Sequence, residues 1–350
     1  MRYRAALLVA AAGAATLSAS LAPAEGARGA VAAALRLPGP GPQLRPQRLA
    51  APEMVAWNGG CEHCHEAIAS EWRTSRHHAA FTNGSFQAAL EREPEATRAF
   101  CVGCHAPESR SAERPDAAAE IGVGCITCHV LAGPVVAADK SGHAPHATTA
   151  TPGFRSAEAC KSCHEFDFPG HRSRGASMQR TVSEHEASGS SLTCSSCHMP
   201  ATAGHKSHAF PGGYDEALVR SALEVVVEQH GETARLTLTT KNVTHAVPTG
   251  DLFRRLAVEV IPVAVDGSRA EPVTRYLARH YRGIGRERVE VDDDRPHLVP
   301  RTVVLDLPAQ TRAGGFDWVV RYERVGFHPG DDEARAEVES AFVIASGGVR

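Results

Sequence analysis

The sequence predicts a mixed fold, in which an N-terminal half of short helices and loops precedes a C-terminal antiparallel β-sandwich. Two observations lead to this prediction. All ten cysteines lie between residues 61 and 198, and the stretches between them are rich in Pro, Gly and Ala. After about residue 215 cysteine disappears, and short runs rich in Val, Leu and Ile alternate with turn residues. At 350 residues the chain is long enough for two domains.

The N-terminus has the pattern of an export signal. A basic start at residues 1–4 precedes an Ala-rich apolar run and the small-residue site Ala22-Pro23-Ala24. We therefore predict a signal peptide over residues 1–24 and a periplasmic protein. The alternative is an uncleaved membrane anchor, because the run is near the lower length for a spanning helix. Residues 25–55 are rich in Pro, Ala and Gly and are predicted to be a linker.

A five-residue pattern, C-x-x-C-H, repeats through the first half and uses every cysteine of the chain. The pairs are Cys61 and Cys64, Cys101 and Cys104, Cys125 and Cys128, Cys160 and Cys163, and Cys194 and Cys197; the histidines that follow are His65, His105, His129, His164 and His198. In this pattern the two thiols attach one haem covalently, and the following histidine becomes an axial ligand of its iron. The repeats therefore predict five covalently attached haem c groups.

Two other interpretations of paired cysteines fit the pattern less well. A structural zinc site needs four ligands in a tetrahedron, and this geometry does not require a histidine after every second cysteine. A disulfide framework would suit an exported protein with an even cysteine count, but it gives the five histidines no role. Covalent haem is the interpretation that uses all fifteen residues.

The haems also decide what kind of domain the first half can be. Five motifs within residues 61–198 leave too little chain for each haem to have its own protein core. We therefore predict a mostly α-helical and loop domain over residues 56–215 that is built around five haems. Residues 216–350 are predicted to form the β-sandwich, with about seven strands. Their sequences are EVVVEQ, ARLTLTT, RLAVEVIPVAV, VTRYLARHY, RTVVLDLP, FDWVVRYERV and VESAFVIAS.

The second axial ligand of each iron decides between electron transfer and chemistry at an open iron face. The chain has 19 histidines, of which five belong to the motifs, and the haem region has only two methionines, Met178 and Met199. We therefore expect mostly His–His ligation, which suits electron transfer.

Several segments resemble the periplasmic multihaem cytochrome c superfamily. That superfamily includes the tetrahaem electron-transfer partners of hydroxylamine oxidoreductase and, more distantly, the pentahaem nitrite reductases. The matching segments are EWRTSRHHAAF, GVGCITCHV with APHAT downstream, CSSCHMP followed by GHKSHAFPGG, and THAVPTGDLFRRLAVEV. The resemblance implies that His77, His146, His208 and His245 are the second axial ligands.

Some alternatives stay open at this point. At most one of the neighbours His77 and His78 is expected to bind the nearest iron. His245 is either a ligand or part of a turn that leads into a strand. The fifth ligand is unassigned, with His171 and His185 as the candidates.

The sequence thus supports two functions. The first is a periplasmic electron carrier that exchanges electrons with exported or membrane redox partner proteins. The second is a multihaem reductase or oxidase of a small nitrogen or sulfur compound, which needs one five-coordinate iron. All five motifs end in His, whereas pentahaem nitrite reductases carry Lys at the active haem, so the carrier is favoured. The net charge of −3 gives no indication of nucleic-acid binding.

Overall fold

A computed structural model describes residues 51–109, 116–130, 134–141, 145–167, 177–283, 288–297, 302–309, 314–329 and 332–350. The predicted signal peptide lies outside the described residues, as does the predicted linker up to residue 50. The last five linker residues belong to a helix, which begins at Ala51. In the described part of the chain, no helix combines the length and the apolar character needed to cross a bilayer.

The N-terminal half consists of short helices, as expected from its loop-rich sequence. The α-helices are α1 (Ala51–Cys64), α2 (Glu66–Arg73), α3 (Gly84–Arg92), α4 (Glu95–His105), α5 (Cys125–His129), α6 (Glu158–His164), α7 (Thr181–Ala187) and α8 (Cys194–His198). Single turns of 3-10 helix lie at His78–Ala80, Ala119–Ile121 and Pro152–Arg155. Three small two-stranded sheets complete this half: β1 (Val136–Ala137) with β2 (Thr149–Ala150), β3 (Glu165–Asp167) with β4 (Ser177–Arg180), and β5 (Ala201–Thr202) with β6 (His205–Lys206).

The C-terminal half is built from antiparallel strands, as predicted. After helix α9 (Glu216–Ser221), the strands are β7 (Leu223–His230), β8 (Thr233–Thr240), β9 (Arg254–Pro262), β10 (Val273–Leu277), β11 (Arg279–Arg282), β12 (Val289–Asp293), β13 (Thr302–Pro308), β14 (Phe316–Phe327) and β15 (Glu337–Val349). A four-stranded sheet has the order β10-β9-β14-β15, a three-stranded sheet has the order β13-β8-β7, and β11 pairs with β12. The predicted run VTRYLARHY is divided between β10 and β11, and β12 was not predicted.

The two larger sheets share one apolar core. In β8 every second residue is buried, so that one face of the strand points inward, and Leu236 and Leu238 are fully buried there. They belong to the same cluster as Val258 and Val260 of β9 and Phe316 of β14. Because both sheets contribute to this cluster, they pack face to face as a sandwich.

Polar contacts join the two halves. The guanidinium of Arg279, on β11, donates to the carbonyl oxygens of Met178 (3.1 Å) and Ser177 on β4. Glu184, on α7, accepts from the amide of Ala246 at 3.2 Å and from the Thr249 hydroxyl at 2.6 Å. The loop that carries the predicted ligand His245 is therefore fixed to the N-terminal half by a carboxylate.

Candidate haem-binding sites

Each C-x-x-C-H motif lies on or at the end of a short helix. Helices α5 and α8 each coincide with one motif, α4 and α6 end at a motif histidine, and α1 ends at Cys64 just before His65. Residues three and four apart lie on the same face of a helix. The two thiols and the imidazole of each motif therefore project from one face. None of the ten cysteines, all of which lie in described segments, forms a disulfide.

Four motif histidines each face one of the four predicted second ligands. The distances between ring centres are 6.1 Å for His65 and His146, 6.3 Å for His164 and His77, 6.2 Å for His129 and His208, and 6.2 Å for His198 and His245. Each predicted second ligand thus lies beside a different motif.

The spacing of these pairs fits a metal ion between the two rings. A metal–imidazole bond is about 2.0–2.1 Å long and a ring nitrogen lies about 1.1 Å from its ring centre, so two imidazoles on opposite sides of one ion have centres about 6.3 Å apart. Direct stacking would bring the ring centres closer, as between His105 and Phe86 at 3.7 Å. The four pairs are therefore spaced as two imidazoles that bound one iron would be.

The hydrogen bonds of the imidazoles point to the same arrangement. Nδ1 of His105, His129 and His198 lies 2.8, 2.8 and 2.6 Å from the carbonyl oxygens of Ala80, Val136 and Pro211. In the second-ligand group, Nδ1 of His208 and His245 lies 2.8 and 2.9 Å from the carbonyl oxygens of Lys206 and Ala246. A carbonyl oxygen only accepts, so Nδ1 carries the proton and Nε2 is left for a metal.

Burial keeps several of these imidazoles neutral, as a metal ligand must be. Burial lowers the pKa of His77 to about 3, and the neighbouring His164 adds to this effect. Burial also lowers the pKa of His105 and His129. At neutral pH these rings therefore have an unprotonated nitrogen available.

His77 and His78 differ in their packing. His78 lies against the indole of Trp72, with ring centres 4.4 Å apart, whereas His77 faces His164. Trp72 is in turn fixed by its Nε1, which donates to the Val123 carbonyl oxygen at 2.9 Å. His78 is thus occupied by a structural contact.

A glycine lets the chain pass close to His77. Gly122 has a φ of +63°, and a Cβ atom there would lie 2.5 Å from the His77 carbonyl oxygen. The next amide, that of Val123, donates to this oxygen at 2.9 Å. Any larger residue at position 122 would separate the third motif from the ligand loop.

The second motif differs from the other four. Within the described residues, no histidine ring pairs with His105 as His146, His77, His208 and His245 pair with the other motifs; Phe86 stacks on His105 instead. Of the two candidates for a fifth ligand, His171 lies outside the described residues. Burial lowers the pKa of His245, and a backbone hydrogen bond partly offsets this effect. His185 lies close enough to His245 to lower the same pKa further.

Neighbouring motifs contact one another through their cysteines. The thiol of Cys163 raises the pKa of Cys104, and that of Cys194 raises the pKa of Cys160, so the thiols of each pair lie close together. The second and fifth motifs therefore both lie beside the fourth. Cys128 of the third motif is also near Cys160. The pKa of Cys160 is raised by Cys194, by burial and, to a smaller extent, by Cys128.

A buried asparagine joins the first and third motifs. Asn58, on α1, is 1% exposed; its amide donates to Glu62 Oε1 at 2.8 Å and its carbonyl oxygen accepts from the Cys125 amide at 2.9 Å. Sequence reasoning missed Asn58, as it missed Glu184 and the ring of Phe86. None belongs to a motif, so only their three-dimensional contacts identify them.

The arginines near the haem motifs have several different partners. Arg73 binds Glu62, with Nε 2.9 Å from Oε2. Arg180 binds Glu184, Glu290 and Asp293. Arg76 lies over the ring of Tyr214. Arg172 and Arg174 lie outside the described residues.

The comparisons with known proteins agree with these observations. Residues 60–130, which include the first three motifs, match the family model described as cytochrome c554 and c-prime. The fold is similar to the crystal structure of a penta-heme cytochrome c552 from Thermochromatium tepidum, with a TM-score of 0.64 and 20% sequence identity over 83% of this chain and 97% of that chain. No curated protein matches the sequence. The resemblance to the multihaem c-type cytochromes is therefore confirmed, and the chain has the fold of a penta-heme member of that group.

Proposed function

We propose that this protein is a periplasmic pentahaem electron carrier. The observation that carries the proposal is the set of four histidine pairs at 6.1–6.3 Å, each made by one motif and one distant histidine. Iron with histidine on both faces is saturated, and it supplies a reversible one-electron step without binding a substrate. The similarity to a penta-heme cytochrome supports the same conclusion.

Each haem would be held by residues of one motif, with the attachment through two thiols. The pairs His65 and His146, His129 and His208, His164 and His77, and His198 and His245 would each bind one iron. His105 would bind the iron of the second motif from one side. The carbonyl oxygens that accept from Nδ1 would fix the orientation of five of these rings.

The adjacency of the motifs suggests the order in which electrons are exchanged. Asn58 links the first motif to the third, the third and fifth motifs adjoin the fourth, and the second lies beside the fourth. The order first, third, fourth, fifth forms a continuous line, and the second motif is a branch from it. We propose that electrons follow this line.

The ends of this line would meet the redox partners. These ends are the first motif, residues 61–65, and the fifth motif, residues 194–198. Partner proteins in the periplasm or at the membrane would exchange electrons at these two ends. An N-terminal segment that stays uncleaved would hold the carrier at the membrane.

Low-temperature EPR with near-infrared magnetic circular dichroism of the oxidised holoprotein tests the proposal. We expect four low-spin irons with histidine on both faces. Replacing His146 with Ala should change one of these to high spin and leave the other three unchanged. Fewer than four low-spin His–His irons in the wild type would contradict the carrier.

The second motif supports an alternative function, a reductase or oxidase of a small nitrogen or sulfur compound. The observation that favours this alternative is that Phe86, and no described histidine, packs on His105. Addition of nitrite or hydroxylamine would then perturb one high-spin signal and no other. If the fifth iron is also low-spin and insensitive to both compounds, the alternative is excluded.

A further inference from the structure

Three guanidinium groups surround one tyrosine where the two halves meet. The Cζ atoms of Arg76 and Arg324 lie 3.6 and 3.5 Å from the ring centre of Tyr214, and that of Arg254 lies 6.0 Å from it. Two guanidinium groups at this distance from one ring centre would collide on the same face of the ring, so Arg76 and Arg324 lie on opposite faces of Tyr214. Arg76 comes from the N-terminal half, whereas Arg254 and Arg324 come from β9 and β14 of the sandwich. We call these four residues the arginine–tyrosine cluster.

The cluster has more positive than negative charge. Arg254 pairs with Asp251 at 2.8 Å, and the only carboxylate that Arg324 approaches in the described residues is Glu339, at 4.0 Å. Nε of Arg324 is buried without a hydrogen-bond partner, and the residue is 9% exposed. Arg76 has no carboxylate within salt-bridge distance in the described part of the chain. Like charges at this separation repel, and an unpaired buried N–H destabilises the fold, unless an anion is present.

A carboxylate beside the cluster leads to the second motif. Glu339 accepts a hydrogen bond from Ser85, whose neighbour Phe86 stacks on His105. The cluster therefore lies beside the site of the second motif.

We propose that the arginine–tyrosine cluster is a carboxylate-binding site, and that its occupant is a propionate of the haem at the second motif. Guanidinium groups bind carboxylates through two parallel hydrogen bonds, and a tyrosine hydroxyl can donate a third. The inference rests on the haem attachment in the proposed function. It assigns the sandwich a second role besides supplying His245: its arginines hold a haem that is attached to the other half.

The experiment measures the five reduction potentials of the holoprotein by spectroelectrochemistry. A nearby cation favours the reduced haem, which has one positive charge fewer, so Arg324→Gln should shift one potential to a more negative value. Arg324→Lys, which keeps the charge, should shift it less. Arg76→Gln should act on the same haem, and its exposed position makes a folding defect a minor concern.

Arg235→Gln is the matched control, because it removes the same charge from the pair with Asp306, away from the cluster. It should leave all five potentials unchanged. If Arg324→Gln and Arg76→Gln hold five haems at wild-type potentials, the cluster is structural and the inference is wrong. Adding inorganic phosphate distinguishes a haem propionate from a soluble anion as the occupant. If phosphate raises the thermal stability of the wild type but not that of Arg324→Gln, the site binds a soluble anion and the inference is wrong. A wild type without five haems would overturn the proposed function itself.

Discussion

The two halves of the molecule are held together by different means. The sandwich has one large apolar cluster, whose buried members are Val219, Leu223, Ala234, Leu236, Leu238, Leu256, Val258, Val260, Leu277, Leu307, Ala309, Phe316, Val320 and Tyr322. The N-terminal half has two small clusters, one of Phe81, Leu90, Val102, Ala106 and Ala119 and one of Trp72, Ala118 and Ile121. Thiols and imidazoles face one another in the remaining interior of that half.

This difference predicts which half depends on bound haem in order to fold. Burial of apolar area is the main favourable contribution to folding, and the clusters of the N-terminal half contribute little of it. The imidazole pairs, with ring centres 6.1–6.3 Å apart, are too far apart for direct stacking and add little apolar burial to this half. The sandwich carries its own core and does not share this requirement.

The largest effect is expected from removing haem attachment. Replacing all ten cysteines with Ser should leave residues 56–215 without their interior, so this half should lose its resistance to proteolysis. The sandwich should stay protected, because its core contains no cysteine. Limited proteolysis followed by mass spectrometry measures both halves in one sample. Equal protection of the two halves would contradict the comparison.

A second prediction compares two leucines. Leu238→Ala removes a fully buried side chain from the large cluster and should lower the free energy of unfolding of the sandwich by about 3 kcal/mol. Leu90→Ala, in the smaller cluster, should cost about 2 kcal/mol, because fewer side chains lose contacts there. Urea unfolding followed by far-UV circular dichroism gives both values. A larger cost for Leu90 would show that the N-terminal half depends on its own apolar core.

The contact between the halves can be weakened at Glu184. Its carboxylate accepts from Arg295 Nη2 at 2.6 Å and from the loop that carries His245. Glu184→Gln leaves the buried Arg295 with one carboxylate fewer, and the free energy of unfolding should fall by about 1–3 kcal/mol. The control is Glu216→Gln, which removes an exposed pair with Arg220 and should cost less than about 0.5 kcal/mol. The same cost for both variants would mean that Glu184 does not fix the loop.

The last expected effect concerns pH and is confined to the sandwich. Hydrogen bonds from His280 to Asp294 and Glu333 raise its pKa from 6.5 to about 10. A group whose pKa is raised on folding contributes its full stability below the unfolded pKa and loses it as the pH rises through the folded pKa. The stability of the wild type should therefore fall between about pH 7 and 10, by an amount on the order of 2 kcal/mol. In His280→Gln this part of the pH dependence should be absent, and chemical unfolding at a series of pH values measures the difference. Parallel profiles for the two proteins would contradict the assignment.

The sequence alone predicted the seven strand runs and their antiparallel class, because alternating burial follows from residue type along each strand. It did not predict β12, whose sequence VEVDD is mostly charged. This strand is paired with β11, and ion pairs such as Arg279 with Glu290 at 2.7 Å join the two strands in place of apolar packing. Hydrophobic periodicity does not predict such a strand.

For the sites, the sequence predicted which residues attach the haems, because the two thiols and the histidine that would serve one group lie within five consecutive positions. The tertiary structure decided which distant histidine faces which motif, since His65 and His146, or His198 and His245, meet only when separate segments pack together. It also decided that His77 faces His164 while His78 packs on Trp72, and that arginines from both halves converge on Tyr214. A local pattern can specify covalent attachment, but the partner across a metal is selected by packing between segments far apart in the chain.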